Sequence, residues 1–193
     1  MNIFVLNTNP TLAAQAHCDI HLRKMIVETC QLLSTYHRKR SELGRSYRTE
    51  DLQLMMKSYR SPIFQSWFHE NFINMQWTTS LLEELAFEYS YRFGYKAWTE
   101  HKCYNCVAAL SSVLGIVEYL YVPQDFVLAM PEDYLPMTSV YKRGNPEQAV
   151  RAYRSYYSVE KFKLFTYTRR TPPDWLFPFS GRWAYDAKKD MHF

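Results

Sequence analysis

The chain has 193 residues, of which 47% are hydrophobic and 22% are charged, and its formal net charge is +4. These proportions are typical of a folded globular chain, and we expect one domain over 1–193. No run of about 18 apolar residues is present to cross a bilayer, and the N-terminus lacks a secretion signal, so we expect a cytoplasmic protein without a membrane partner. A Gly-rich phosphate loop and a GxSxG elbow are also missing, which disfavours P-loop kinases, Rossmann enzymes and α/β-hydrolases.

Capping signals and apolar spacing divide the chain into elements. Residues 3–7 form a short strand-like run, after which Asn9 supplies an N-cap and Pro10 the first helical position. Gly94 ends the most regular later helix, and Asn145 opens another. The predicted helices are, in chain order, about 10–37, a short helix from Thr49, about 71–92, about 98–114 and about 146–158. The expected fold is therefore mainly α, a single compact helical domain with a short N-terminal strand.

A stripe of polar residues runs along the first predicted helix between two apolar flanks. At 100° per residue, His17, His21, Lys24 and Glu28 fall within about 60° of one another. Because burying unpaired charge is costly, we expect these four side chains to line a cleft and to be catalytic. Glu28 would be a general base or stabilising carboxylate, the histidines acid and base, and Lys24 a phosphate clamp or nucleophile. A plain helix ion pair is the alternative for Lys24 and Glu28.

The positive charge is concentrated late in the chain. Residues 141–170 carry eight Lys and Arg against two Glu, and tyrosines lie between the cations. This composition is typical of a phosphate-binding surface that also stacks bases, although a solvated helix face with a plain loop can have it too. A second basic cluster follows the first predicted helix. The nucleic-acid-binding residues that we predict are Arg151, Tyr153, Arg154, Tyr157, Lys161 and Lys163 in the late segment and Arg38 and Arg40 in the second cluster.

The four cysteines are expected to be reduced thiols, because a disulfide framework requires a secreted chain. Cys103 and Cys106 form a CxxC motif, and a four-ligand zinc site could be drawn from them with His101 and either His17 or His21. A lone CxxC without a second pair is more typical of small buried residues, so we predict no metal site. Nothing in the sequence identifies a cofactor.

Residues 4–38 read FVLNTNPTLAAQAHCDIHLRKMIVETCQLLSTYHR, which is similar to the N-terminal pattern of a family of small proteins encoded by tailed bacteriophages. That pattern resembles D-x-D-P-x-x-A-A followed by C-D-K-H-x-x-K-M-x-x-E-x-x-Q-L-L. The similarity extends through SPIFQSWFHENFINMQWTTSLLEELAFEYSYRFG, MPEDYL, QAVRAYRSYYSVEK and PPDWL, and so covers most of the chain. This chain has Asn7 and Asn9 in place of the acids and Ile20 in place of a lysine. The resemblance implies a bacteriophage origin and therefore the host cytoplasm.

The His, Glu and basic residues of the first predicted helix also resemble the N-terminal helix of the phage pyrimidine-dimer DNA glycosylases, which are compact helical enzymes. This resemblance implies catalysis by an N-terminal amine with a helix-borne glutamate, here Glu28. Asn2 is too large for ordinary removal of the preceding methionine, so we do not expect a free amine on residue 2.

The leading functional hypothesis is an enzyme that excises or modifies a base in DNA or in a nucleotide. The alternative is a non-catalytic phage protein that inhibits a host protein or sequesters a nucleotide, because Arg-rich aromatic surfaces also bind proteins. A metal-dependent hydrolase would instead join Glu83, Glu84 and Glu88 to the polar stripe. The expected partners are DNA or a phosphate-bearing nucleotide and, under the alternative, a host protein.

Overall fold

The computed structural model describes residues 2–57, 61–114, 121–137 and 142–179. The fold there is mainly α, which confirms the predicted class. Short 3-10 turns at Glu132–Tyr134, Phe162–Leu164 and Asp174–Phe179 add to the regular elements. The helices and strands are, in chain order, α1 (Pro10–Ala16), α2 (Asp19–Glu42), α3 (Thr49–Leu54), α4 (Pro62–Glu70), α5 (Phe72–Phe93), α6 (Tyr95–Thr99), α7 (Tyr104–Leu114), β1 (Phe126–Val127), β2 (Arg143–Gly144) and α8 (Pro146–Glu160).

Two helices begin and end where their capping residues predict. The Asn71 side chain accepts a hydrogen bond from a backbone amide at the start of α5, and α5 ends at Gly94. Gly94 has a φ of +95°, in the left-handed region that favours glycine. At the start of α8, Asn145 and Gln148 form a reciprocal capping box. The predicted ends of both helices agree with the structure to within two residues.

The helix predicted over 10–37 is wrong, because the chain is extended at His17 and Cys18, with ψ angles of 137° and 162°. The Arg92 guanidinium donates to the His17 carbonyl, and the Tyr157 hydroxyl accepts from the Cys18 amide. Backbone groups that a continuous helix would pair internally thus have partners on other elements. The helix predicted over 98–114 is also divided, into α6 and α7.

The predicted N-terminal strand is wrong as well. Residues 3–6 are buried but pair with no strand among the described residues, where the sheet consists of β1 and β2 in antiparallel register, with Phe126 opposite Gly144. An apolar run is also what an extended chain needs when core side chains surround it on all sides. The segment therefore reaches the core as extended chain without a ladder of backbone hydrogen bonds.

The centre of the core lies where α2 and α5 pack on each other, with α1 and α7 against them. One cluster of buried apolar side chains continues from Ile3 to Leu176. Residues 180–193 lie outside the described ranges, so one domain over 1–193 stays a prediction. No helix in the described part of the chain is long and apolar enough to span a membrane.

Candidate functional site

Glu28, on α2, connects the polar stripe to the N-terminal segment. Its Oε2 accepts a hydrogen bond from the Asn2 backbone amide at 2.7 Å, and its Oε1 lies 3.5 Å from Nζ of Lys24. The carboxylate is mostly buried, whereas the Lys24 side chain is exposed. One oxygen is therefore fixed by the backbone, and the other lies beside an ammonium group that is open to solvent.

Asn2 is itself held in place from two directions. Its side-chain amide donates to the Ala129 carbonyl, and its Oδ1 accepts from the Tyr153 hydroxyl at 2.8 Å. The resemblance to glycosylases implies a nitrogen from the start of the chain next to the glutamate. In the structure, the backbone nitrogen of Asn2 donates to Glu28, but this nitrogen is an amide and not an amine.

A second cation, Lys161, acts on the same histidine as Lys24. Burial, followed by the charges of Lys161 and Lys24, lowers the pKa of His21 to about 4. Nζ of Lys161 is 4.9 Å from the centroid of the half-buried Tyr156 ring. Of the predicted residues, the structure thus brings together Glu28 and Lys24, while Lys161 packs on Tyr156, a residue that we did not predict.

The expectation that His17 and His21 line a cleft is wrong, because both rings are buried in the core. His17 Nδ1 donates to the Ala13 carbonyl at 2.7 Å, and burial lowers its pKa to about 3. His21 Nδ1 lies 2.9 Å from the Tyr157 hydroxyl, and Phe4 packs on both imidazoles. Both histidines are therefore neutral near pH 7 and have no access to a ligand.

The cysteine thiols form a cluster of their own, which rules out the zinc site that includes His17 or His21. Cys30 of α2 hydrogen-bonds with both Cys103 and Cys106, while His17 and His21 pack elsewhere, against Phe4. The hydrogen bond with Cys30 lowers the pKa of Cys103 to about 5. Among the described residues, no group of three or more His, Cys, Asp or Glu side chains is arranged to hold a metal ion.

Glu88, considered above as a metal ligand, is instead neutralised by two arginines. Its Oε1 accepts from Arg92 at 2.7 Å, and both of its oxygens accept from Arg170. A carboxylate in two such contacts is a poor ligand for a divalent ion, since binding would leave the arginines unpaired. The hydrolase hypothesis loses its central residue.

Arg92 is a structural residue that we did not predict. It is fully buried and also contacts Asp19 at 3.0 Å. A signal was present in the sequence, because Glu88 and Arg92 continue the line of Leu81 and Leu85 along the core face of α5. An acid and a base one turn apart on an apolar face indicate a buried ion pair.

Tyr153 and Tyr157 do not stack bases, and this correction follows from their position on the inner face of α8. Both rings are fully buried. The Tyr153 hydroxyl lies 2.8 Å from both Asn2 Oδ1 and the Val127 carbonyl, which share its one proton, and the Tyr157 hydroxyl contacts Cys18. The hydroxyls thereby satisfy buried backbone and thiol groups.

The second basic cluster has structural roles. The Arg38 guanidinium donates to three carbonyls at the end of α3, and the Arg40 guanidinium packs over the ring of Tyr36. Lys163 is exposed, with its Nζ 5.7 Å from the Phe162 ring. The guanidinium groups of Arg38 and Arg40 are therefore engaged in contacts within the fold.

Arg151 and Arg154 lie together on a groove along the outer face of α8. The groove contains a cavity of about 750 Å³ that both arginines line, together with Ser155, Ser158 and Trp175. Arg154 Nε donates to the Leu6 carbonyl, and the guanidinium carbon is 5.1 Å from the Trp175 ring centroid. Arg154 is half-buried, pairs with no carboxylate of the described residues, and has its pKa lowered by burial.

Arg151 differs from Arg154 in having an acid neighbour. Its guanidinium donates to Oε1 of Glu147 at 2.7 Å, and both side chains are about 80% exposed. Exposed pairs of this kind contribute at most about 0.5 kcal/mol, so the pair can open to admit another anion. The Ser158 hydroxyl, at the base of the cavity, is buried and has no hydrogen-bond partner among the described residues.

Comparisons with known proteins add no assignment to this geometry. No protein-family model, no curated protein and no solved structure matches this chain. The resemblances noted in the sequence therefore stay expectations.

Proposed function

We propose that this protein excises a base from DNA, with Lys24 as nucleophile and Glu28 as the carboxylate that assists it. The observation that carries the proposal is the 3.5 Å distance between Lys24 Nζ and Glu28 Oε1, at a carboxylate whose other oxygen is fixed by Asn2. An amine with an adjacent base is the arrangement that covalent catalysis through an imine requires.

The proposed reaction begins when Glu28 accepts a proton from the Lys24 ammonium group. The lone pair of Nζ then attacks C1′ of the target nucleotide, and the bond from C1′ to the base breaks. The base leaves with the electron pair of that bond and takes the proton that Glu28 holds. Glu28 then accepts a proton from the alkylated Nζ and passes it to O4′ as the deoxyribose ring opens, which gives a protonated imine between Nζ and C1′. Water hydrolyses the imine, which leaves an abasic strand and regenerates the lysine.

The neighbours of Glu28 fit a DNA substrate. Lys161, whose charge acts on the same His21 ring as that of Lys24, supplies a contact for a backbone phosphate. Tyr156 presents a half-buried ring on which an extruded base can stack. Base excision requires such extrusion, because C1′ chemistry cannot be reached inside a stacked duplex.

Two further features support excision over base modification. Base modification would require His17 or His21 as an acid near neutral pH, whereas burial keeps both imidazole rings neutral. The resemblance to DNA glycosylases also implies an amine beside Glu28. In this chain the Asn2 nitrogen is an amide, so Lys24 supplies the amine.

Borohydride trapping on a duplex with one abasic site tests the proposal, because this probe carries the reactive C1′ whatever base the enzyme removes. We expect the wild-type protein to form a covalent complex that maps to Lys24. We expect Lys24→Ala to form none and Glu28→Gln to form it at least about tenfold more slowly, the size of effect usual for a lost proton-transfer group.

Arg23→Ala is the matched control, because Arg23 is the adjacent exposed cation of α2 and its guanidinium packs on Phe93 instead. It should trap as efficiently as the wild type. Trapping that persists in Lys24→Ala, or a cross-link that maps to the N-terminus, would overturn the assignment of Lys24.

A further inference from the structure

The groove on α8 lies apart from Glu28 and has its own chemistry. Arg154 is the main observation, since a half-buried cation without an acid partner in the described part of the chain is costly until an anion binds it. Trp175 stacks on the same guanidinium. A phosphate satisfies Arg154 by paired hydrogen bonds, and aromatic and guanidinium planes are surfaces on which bases stack.

The 750 Å³ cavity continues into two neighbours. Towards α1, a cavity of about 220 Å³ shares Arg154 and Trp175 with it. On the other side, a cavity of about 420 Å³ shares Arg151 and Ser155 with it. Because shared lining residues are the boundaries between cavities, the three form one series along α8.

Each boundary of this series carries one arginine. Arg154 separates the smallest cavity from the central one, and Arg151 separates the central cavity from the third. Residues three apart on a helix have side chains about 5–6 Å apart at their Cβ atoms. A nucleic acid strand also alternates phosphates and bases, and its rise per nucleotide exceeds the duplex value of about 3.4 Å once the strand is unstacked.

We propose that the groove binds a single DNA strand of three nucleotides, with phosphates at Arg151 and Arg154 and one base in each cavity. The inference rests on the proposed function only in taking DNA as the ligand. Concave cavities on a helix face admit unpaired bases, which a duplex does not offer. Asp133 lines the third cavity, where a carboxylate repels phosphate but accepts hydrogen bonds from a base amine.

Calorimetric titration with 5′-phosphorylated deoxycytidine oligomers of one, two, three and six nucleotides tests the inference. We expect the affinity to rise at each step up to three nucleotides, and the hexamer to gain only the statistical factor from its additional registers. For the trimer, the logarithm of the binding constant should fall with the logarithm of salt concentration at a slope of about −1.4, which two phosphate contacts to a single strand predict. Arg151→Ala should reduce this slope to about −0.7.

Leu12→Trp provides an independent test, because Leu12 lines only the smallest cavity and the larger ring fills it. The variant should bind the trimer at least about fivefold more weakly. Ile20→Trp is the matched control, since Ile20 on α2 is 50% exposed like Leu12 and does not line the groove cavities.

The outcomes separate this inference from the excision proposal. A trimer that binds no tighter than the mononucleotide, or no oligomer binding at low salt, would overturn the three-nucleotide groove while leaving trapping at Lys24 to stand. Trimer binding with the expected slopes but without trapping would support the groove and overturn the excision proposal.

Discussion

Arg92 illustrates, at the scale of single residues, how the fold keeps charge in its core. Its guanidinium has no exposed surface and contacts the carboxylates of Glu88 and Asp19. It also donates to the carbonyls of Gln15 and His17. These contacts replace the hydrogen bonds of water that the charge loses on burial. The polar groups around the junction of α1 and α2 are therefore paired inside the protein.

Replacing Arg92 by methionine should lower the free energy of unfolding by about 3–5 kcal/mol, because two buried carboxylates lose a shared partner. Chemical denaturation at pH 7 measures the change. Arg151→Met is the comparison, since its exposed pair with Glu147 should contribute less than about 0.5 kcal/mol. Equal effects of the two substitutions would show that the Arg92 network does not stabilise the fold.

Residue identity predicted only part of the candidate site. The predicted polar stripe placed His17, His21, Lys24 and Glu28 in one cleft, but the structure pairs only Lys24 with Glu28 and buries both histidines. Spacing along one helix cannot distinguish a cleft from a set of buried partners, because the partners lie on other elements. Tyr157, which the Cys18 amide and His21 contact, is 139 residues away from Cys18 in sequence.

At the scale of elements, local signals explain which boundaries were predictable. The residues that cap α5 and α8 are adjacent to those helices in the sequence. Short-range contacts therefore determine where the helices begin and end. The break between α1 and α2 has no proline or glycine. Its backbone groups hydrogen-bond with Arg92 and Tyr157, which are far away in the sequence. The spacing of residues along one helix cannot predict such long-range contacts.

Asn145→Ala should destabilise the protein by about 1 kcal/mol, because it removes the capping box at the start of α8. Thermal unfolding measures the shift. Asn105→Ala serves as control, since Asn105 is exposed within α7 and caps no helix, so its replacement should change stability by less than about 0.5 kcal/mol. An unchanged melting temperature in Asn145→Ala would mean that packing alone holds this end of α8.

At the scale of the whole molecule, three buried neutral histidines couple stability to pH. Burial lowers the pKa of His17 to about 3 and those of His21 and His37 to about 4, against an ordinary value of 6.5. The unfolded chain binds protons at these rings as the pH falls through 6.5, while the folded protein does not. The stability that depends on the neutral rings is therefore complete above pH 6.5 and is lost progressively towards pH 4.

Asp19, the buried acid in the Arg92 network, does not lose its contribution to stability in the same window. Although burial alone would raise it, hydrogen bonds from Thr168 and Arg92 hold the pKa of Asp19 below its ordinary value of 3.8. A carboxyl group of this kind stabilises the fold above that value and loses its contribution only at lower pH. A decrease between pH 7.5 and pH 5 is thus not due to Asp19, and the His17 variant tests its assignment to the histidines.

We expect the free energy of unfolding to fall by roughly 2 kcal/mol for each of the three histidines between pH 7.5 and pH 5, measured by denaturant titration at both values. His17→Asn removes one titrating group while keeping a donor near the Ala13 carbonyl. The variant is less stable than the wild type at pH 7.5 because it loses ring packing, but its decrease on acidification should be smaller by roughly 2 kcal/mol. An identical decrease in both proteins would mean that His17 is protonated in the folded state, and that its burial does not oppose the charge.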